Sequence, residues 1–93
     1  MSMKYNVKPT SKFRKDYKQM EKRKLNMNLL DEIIVKLAKG EPLPPHNRDH
    51  ALIGNYTGHR GCHVEPDWIL IYRIYNDVLV LSLTRTGSHS DLY

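Results

Sequence analysis

A cluster of helix-stopping residues divides this chain in two. Gly40 is followed by Pro42, Pro44 and Pro45. Glycine closes a helix readily, and proline has no backbone N–H with which to continue one. Before the break, apolar residues recur at helical spacing; from Asn55 onward they recur as in strands. A helical block followed by a β block predicts an α+β domain, with helices on one face of a mostly antiparallel sheet.

The first half begins with a short strand, Lys4–Lys8, which has Tyr5 and Val7 on one face and ends at Pro9. Thr10 or Ser11 caps a helix whose apolar positions are Phe13, Tyr17 and Met20. After a break near Lys24–Asn26, Asn26 or Asn28 caps a second helix. Its stripe is Met27, Leu30, Ile34 and Leu37, with Ile33 beside it. Together the two helices form an αα-hairpin. Residues 41–54 are a proline-rich loop containing His46 and His50.

In the second half, Tyr56–His59 and Gly61–Glu65 read as short strands, or one bent strand, broken by Pro66. Trp68–Tyr75 and Val78–Thr84 are stronger strands joined through Asn76-Asp77. A two-residue turn there pairs Tyr75 with Val78, Ile74 with Leu79, Leu70 with Leu83, Trp68 with Arg85 and Asp67 with Thr86. Ile74, Tyr72, Leu70, Leu79, Leu81 and Leu83 then share the face that meets the helices, leaving the other face partly polar and open. Strict alternation puts Arg85 on the core side, so strand-end twist or a bulge is needed to free its guanidinium. The topology is β-α-α-β-β-β.

Ninety-three residues suit one domain, 1–93. No apolar run is long enough to span a bilayer, and no signal-peptide pattern appears, so we expect a cytoplasmic protein with no membrane role. Cys62 is expected to be a small buried residue. Charge is unevenly placed. Residues 1–40 hold 11 Lys/Arg against 4 Asp/Glu, a net of +7; residues 41–93 hold 4 against 6, a net of −2. Lys12, Lys15, Lys18 and Lys22 on the first helix can hold a polyanion, which points to nucleic acid.

The less basic half contains the chemistry. His63-Val64-Glu65-Pro66-Asp67-Trp68 has His50 before it and His89 after it. Histidine and carboxylate exchange protons near neutral pH, as cleavage of a phosphodiester requires. The hairpin register gathers Asp67, Arg85 and His89 at one sheet end, with His63 across the Pro66 turn. Arg85 can stabilise a charged phosphate. Trp68 and Tyr93 are candidates for stacking on bases. The pairs His46/His50 and His59/His63 are four apart, but neither lies in helical sequence, so we expect no metal site and no cofactor.

Asp49-His50-Ala51-Leu52, Gly54-Asn55-Tyr56, Gly58-His59-Arg60, His63 through Tyr72, and Arg85-Thr86-Gly87-Ser88-His89 together resemble the YafQ branch of the RelE superfamily of bacterial toxins. The resemblance covers nearly the whole chain. It implies a microbial-RNase-like fold and a ribosome-dependent endoribonuclease that cuts translated mRNA and is silenced by a cognate antitoxin. It maps catalytic positions onto His50, His63, Asp67 and His89, and the basic residue near the phosphate onto Arg85. Arg60 is a further candidate for RNA contact. Tyr93 stands where the family usually has Phe. The implied route is attack by the RNA 2′-hydroxyl, giving a 2′,3′-cyclic phosphate and a 5′-hydroxyl. Asp67 or His50 serves as base and His89 protonates the leaving oxygen. Two other functions compete. A ParE-like gyrase poison has no need of the histidine set, and a plain RNA-binding module would leave it idle.

Overall fold

The structure, a computed structural model, describes residues 3–93. Strand β1 (Asn6–Pro9) leads into helices α1 (Ser11–Lys22) and α2 (Met27–Ala38). A 3₁₀ turn at Pro45–Asn47, the two-residue strand β2 (His50–Ala51) and a second 3₁₀ turn at Gly54–Tyr56 follow. Strands β3 (Arg60–Glu65), β4 (Trp68–Tyr75) and β5 (Val80–Gly87) and the short helix α3 (His89–Leu92) complete the chain. The five-stranded sheet has the order β1-β5-β4-β3-β2; only the β1–β5 pair is parallel.

Local chemistry accounts for the helix ends. The Thr10 hydroxyl accepts from Phe13 N (3.0 Å), and the Asn26 side chain accepts from Asn28 N (3.2 Å). Gly40 takes φ 76°; its N–H donates to the Leu37 carbonyl, and Glu41 N–H donates to Lys36. That pairing is a Schellman closure. Phe13 and Met20 of α1 and Leu30, Ile33 and Leu37 of α2 are buried against Cys62, Leu70, Tyr72, Leu81 and Leu83. Ile33 rather than Ile34 is the buried member of that pair, and Ile34 packs at the margin.

Residues 76–79 form a four-residue connection, not the expected two-residue turn, with Leu79 in the left-handed region at φ 53°. Tyr75 therefore pairs with Val80 and Tyr72 with Leu83. A shift of two preserves side-chain parity, so Leu81 and Leu83 still face the helices, whereas Leu79 lies exposed in the turn. Parity then inverts. Between the pairs Tyr72–Leu83 and Ile71–Arg85, β5 has one extra residue, Thr84. This bulge turns Arg85 out of the core and Thr86 into it.

The second face is less open than expected. Ile69 and Ile71 form a smaller apolar cluster with Leu92, Leu52 and Tyr56, covered by α3 and the second 3₁₀ turn. The expected strand over Tyr56–His59 is not formed; that segment leaves a 3₁₀ turn instead.

Candidate active site

Two groups of side chains flank the small apolar cluster. The first begins in the loop before β2. Asn47 is buried, and its amide donates to the His63 carbonyl (2.7 Å). Arg48 follows at φ 48°, and His50 then pairs with Gly61 across β2–β3. His63 lies two residues further along β3, so the two imidazoles stack, with centroids 6.5 Å apart and planes inclined by 25°. Each ring meets a carbonyl through Nδ1: His50 with Arg48 (2.7 Å) and His63 with Pro66 (3.1 Å). A carbonyl can only accept, so both Nδ1 atoms carry hydrogen and both Nε2 atoms are left to take a proton.

Beneath His50, Asp49 accepts from the Tyr72 hydroxyl (2.6 Å) and from Arg60 Nε and Nη2 (3.4 and 3.3 Å). Burial, reinforced by Asp49, raises the Tyr72 hydroxyl pKa, while the bond to Asp49 raises that of Arg60. Arg60, expected to contact RNA, thus has part of its guanidinium committed within the protein. Cys62 is fully buried as expected, and burial pushes its thiol up to about 12.

The second group is built on α3. Ser88 and Asp91 form a capping box: Ser88 N donates to Asp91 Oδ2 (2.8 Å), and Asp91 N donates to Ser88 Oγ (3.2 Å). Arg23 adds a bidentate ion pair to Asp91 (2.7 and 2.9 Å). These bonds, Arg23's first, hold the Asp91 carboxyl far below the usual carboxylate range. His89 N donates to Asp67 Oδ1 (3.0 Å), and the imidazole Nδ1 lies 4.0 Å from the same oxygen. The His89 side chain is 65% exposed. Tyr93 lies 5.3 Å from the His89 ring and 5.4 Å, edge-on, from Tyr56, whose hydroxyl donates to the Leu92 carbonyl (2.9 Å).

Arg85 completes the site. Its Nε and Nη2 donate to the two oxygens of Asp16 (2.6 and 3.1 Å), and Thr86 N donates to the same carboxylate (3.2 Å). Asp16, and to a lesser extent Tyr56, raise the Arg85 pKa. His63, Ile69 and Gly87 form one cross-strand row. At about 4.8 Å per strand, that row spans roughly 10 Å.

Sequence reasoning expected His63, Asp67 and His89 to converge. In the structure Asp67 meets His89, while His63 stacks on His50. Trp68 requires a correction. It is 2% exposed, its indole N–H donates to Thr86 Oγ1 (2.9 Å), and neither ring face is open to a base. Tyr93, 63% exposed, keeps an accessible ring. Lys12, Lys15, Lys18 and Lys22 are all exposed on α1. Asp16, Asp49, Tyr56 and Asp91 were missed. Only Asp91 carried a readable signal, since Ser88-x-x-Asp91 has the capping-box spacing.

The sheet end defines a class: a small α+β domain presenting histidine, aspartate and arginine around an apolar patch. A family model described as the bacterial toxin of a type II toxin–antitoxin system, YafQ, matches residues 5–93. The mRNA interferase toxin YafQ of Escherichia coli K12 is 38% identical over 89 residues, 95% of this chain and 95% of that protein. The YafQ chain of the E. coli DinJ–YafQ toxin–antitoxin complex superposes with a TM-score of 0.89 at 37% identity, covering 98% of this chain and 99% of that one. A metal-bound toxin from Helicobacter pylori superposes at 0.90 with 37% identity, covering 96% and 99%. The chain belongs to the YafQ family of bacterial type II toxins.

The bound metal is a property of the H. pylori protein. Here His50 and His63 offer two ring nitrogens, and no group of three or more His, Cys, Asp or Glu gathers among the described residues. A catalytic zinc takes three protein ligands. Two imidazoles fall one ligand short of that zinc set.

Proposed function

We propose that this toxin is an endoribonuclease that cuts mRNA during translation, without metal, and that a cognate antitoxin silences it. The observation that carries this reading is the different fastening of its imidazoles. His50 and His63 hold Nε2 ready to accept a proton, whereas the exposed His89 ring, beside Asp67, can carry one to a leaving group. In this scheme the RNA 2′-hydroxyl attacks the adjacent phosphorus. His50 takes its proton, with His63 orienting the phosphate. Arg85 offsets charge on the pentacoordinate phosphate, and His89 protonates the departing 5′-oxygen. The products are a 2′,3′-cyclic phosphate and a 5′-hydroxyl. Ribosomes translating mRNA in the cytoplasm are the site of action.

The test is primer extension on a message translated in a purified system. We expect new 5′-hydroxyl ends inside codons, absent when ribosomes are omitted. Chelation should leave the rate unchanged when ribosomal magnesium is controlled separately. Intact message together with blocked gyrase would favour the ParE-like alternative.

A further inference from the structure

Helix α1 has two distinct polar faces. Lys15, Lys18 and Lys22 lie on the side away from buried Phe13 and Met20, by the 3.6-residue turn. Asp16 and, seven residues on, Arg23, which caps the helix in helical conformation, border the buried stripe on one common edge. Both reach across to the C-terminal part of the site. Asp16 takes Arg85 and the Thr86 N–H, and Arg23 takes Asp91 of α3. We propose that this edge of α1 is a positioning surface for RNA cleavage: Asp16 aims Arg85, and Arg23, through Asp91, sets the helix that carries His89 and Tyr93. The proposal rests on the nuclease reading above.

The geometry of guanidinium makes the first half specific. Arginine has five N–H donors in a planar fork. Asp16 occupies the edge formed by Nε and Nη2. The end-on fork, Nη1 with the second hydrogen of Nη2, is not taken by Asp16; the Tyr56 hydroxyl lies beside this guanidinium, and phosphate oxygens would share the fork with it. The Asp16–Arg85 pair is largely sheltered, at 16% and 22% side-chain exposure. A carboxylate on one edge therefore fixes where the other edge points. Lysine at position 85 has no second edge and would lose this alignment.

The second half follows from the shortness of α3. Four residues cannot hold a helix by propensity alone. Its fastenings are the capping box, the Tyr56 hydroxyl, Asp67 and the Arg23 pair. Arg23 is the fastening that comes from the helical layer.

The experiment is single-turnover cleavage of ribosome-bound message by the full chain and its variants. Asp16→Asn keeps the size and one acceptor oxygen. It should lower the maximal rate by about 10–100-fold, as small misplacements of a catalytic group do, with little change in half-saturation. In an Arg85→Ala background, Asp16→Asn should cost nothing further, because the guanidinium it aims is gone and the retained amide oxygen can still accept from Thr86 N. Arg23→Gln should broaden the His89 and Tyr93 NMR signals and slow cleavage severalfold. Salt dependence of ribosome binding should be unchanged in both single variants. Equal slowing by Asp16→Asn with and without Arg85, matched by equal losses of melting temperature, would make Asp16 merely structural and overturn the proposal. Parental-rate cleavage by Asp16→Asn would also overturn it. A parental chain that leaves every message whole would overturn the nuclease reading as well.

Discussion

The three histidines at the sheet end are held in two ways. His50 and His63 sit on paired strands, His50 exposed and His63 half-buried, with one nitrogen of each ring fastened to a carbonyl. His89 is anchored through its backbone, and its ring stands in solvent beside an exposed carboxylate. The first arrangement fixes a tautomer. The second leaves the ring free to load and deliver a proton. A proton acceptor and a proton donor can thus be built from one residue type by changing what the backbone around it does.

The sharpest test of this contrast is a pair of alanine variants read on two substrates. His89→Ala should lower cleavage by about 10²–10⁴-fold with the melting temperature unchanged. A message with sulfur in place of the leaving 5′-oxygen, which departs without a proton, should restore its rate. The same message should not restore His50→Ala, which lacks the base. Equal rescue of both variants would break the division of labour.

Trp68 separates packing from recognition beneath both regions. Trp68→Phe removes the indole donor to Thr86, and Trp68→Ala empties a core site. We expect losses of about 1–3 kcal/mol and about 3–5 kcal/mol, read from urea midpoints. Unchanged stability with weakened RNA binding would restore Trp68 as a stacking residue.

Acid should loosen one region before the other. Asp91 is held below its ordinary value by Arg23 and by Ser88 N–H. Its contribution is therefore complete above the usual carboxylate range and is lost as pH falls below that range toward the lowered value. Tyr93 resonances should broaden there while those of Val64 hold, and Asp91→Asn should abolish the difference. Simultaneous loss of both would mean that α3 is not separately fastened.

The smallest effect lies outside both regions. Replacing Lys12, Lys15, Lys18 and Lys22 by Gln should lower the slope of ribosome binding against salt by four units or fewer, at about 0.7–0.9 per phosphate contact. The cleavage map should not change, since phosphate contacts carry no sequence information. An altered map would assign message reading to α1.

Local rules made much of the architecture legible. Thr10, Asn26 and Gly40 marked helix ends because each satisfies backbone groups within a few residues of itself. Leu81 and Leu83 kept their face despite a wrong turn length because the error was an even number of residues, while Leu79 was lost to the turn. What escaped depends on distant partners. Asp16 lies 69 positions from Arg85, and nothing in a lysine-rich helix marks one aspartate as the partner of a strand residue. The pairing of β2 with β3, which stacks His50 on His63, rests on a two-residue strand too short to show alternation. Leu79 at positive φ gave no warning, since leucine rarely adopts that conformation.

The parallel pairing of β1 with β5 has a consequence for timing. Asn6–Pro9 find their strand partners only at Val80–Leu83, and Arg85 and His89 follow within a few residues. A chain halted before Val80 has an unpaired first strand, no arginine at the bulge and no helix to bear the exposed imidazole. Sheet closure and completion of the cleavage site thus wait on the same short stretch of synthesis, so a partly made toxin has neither.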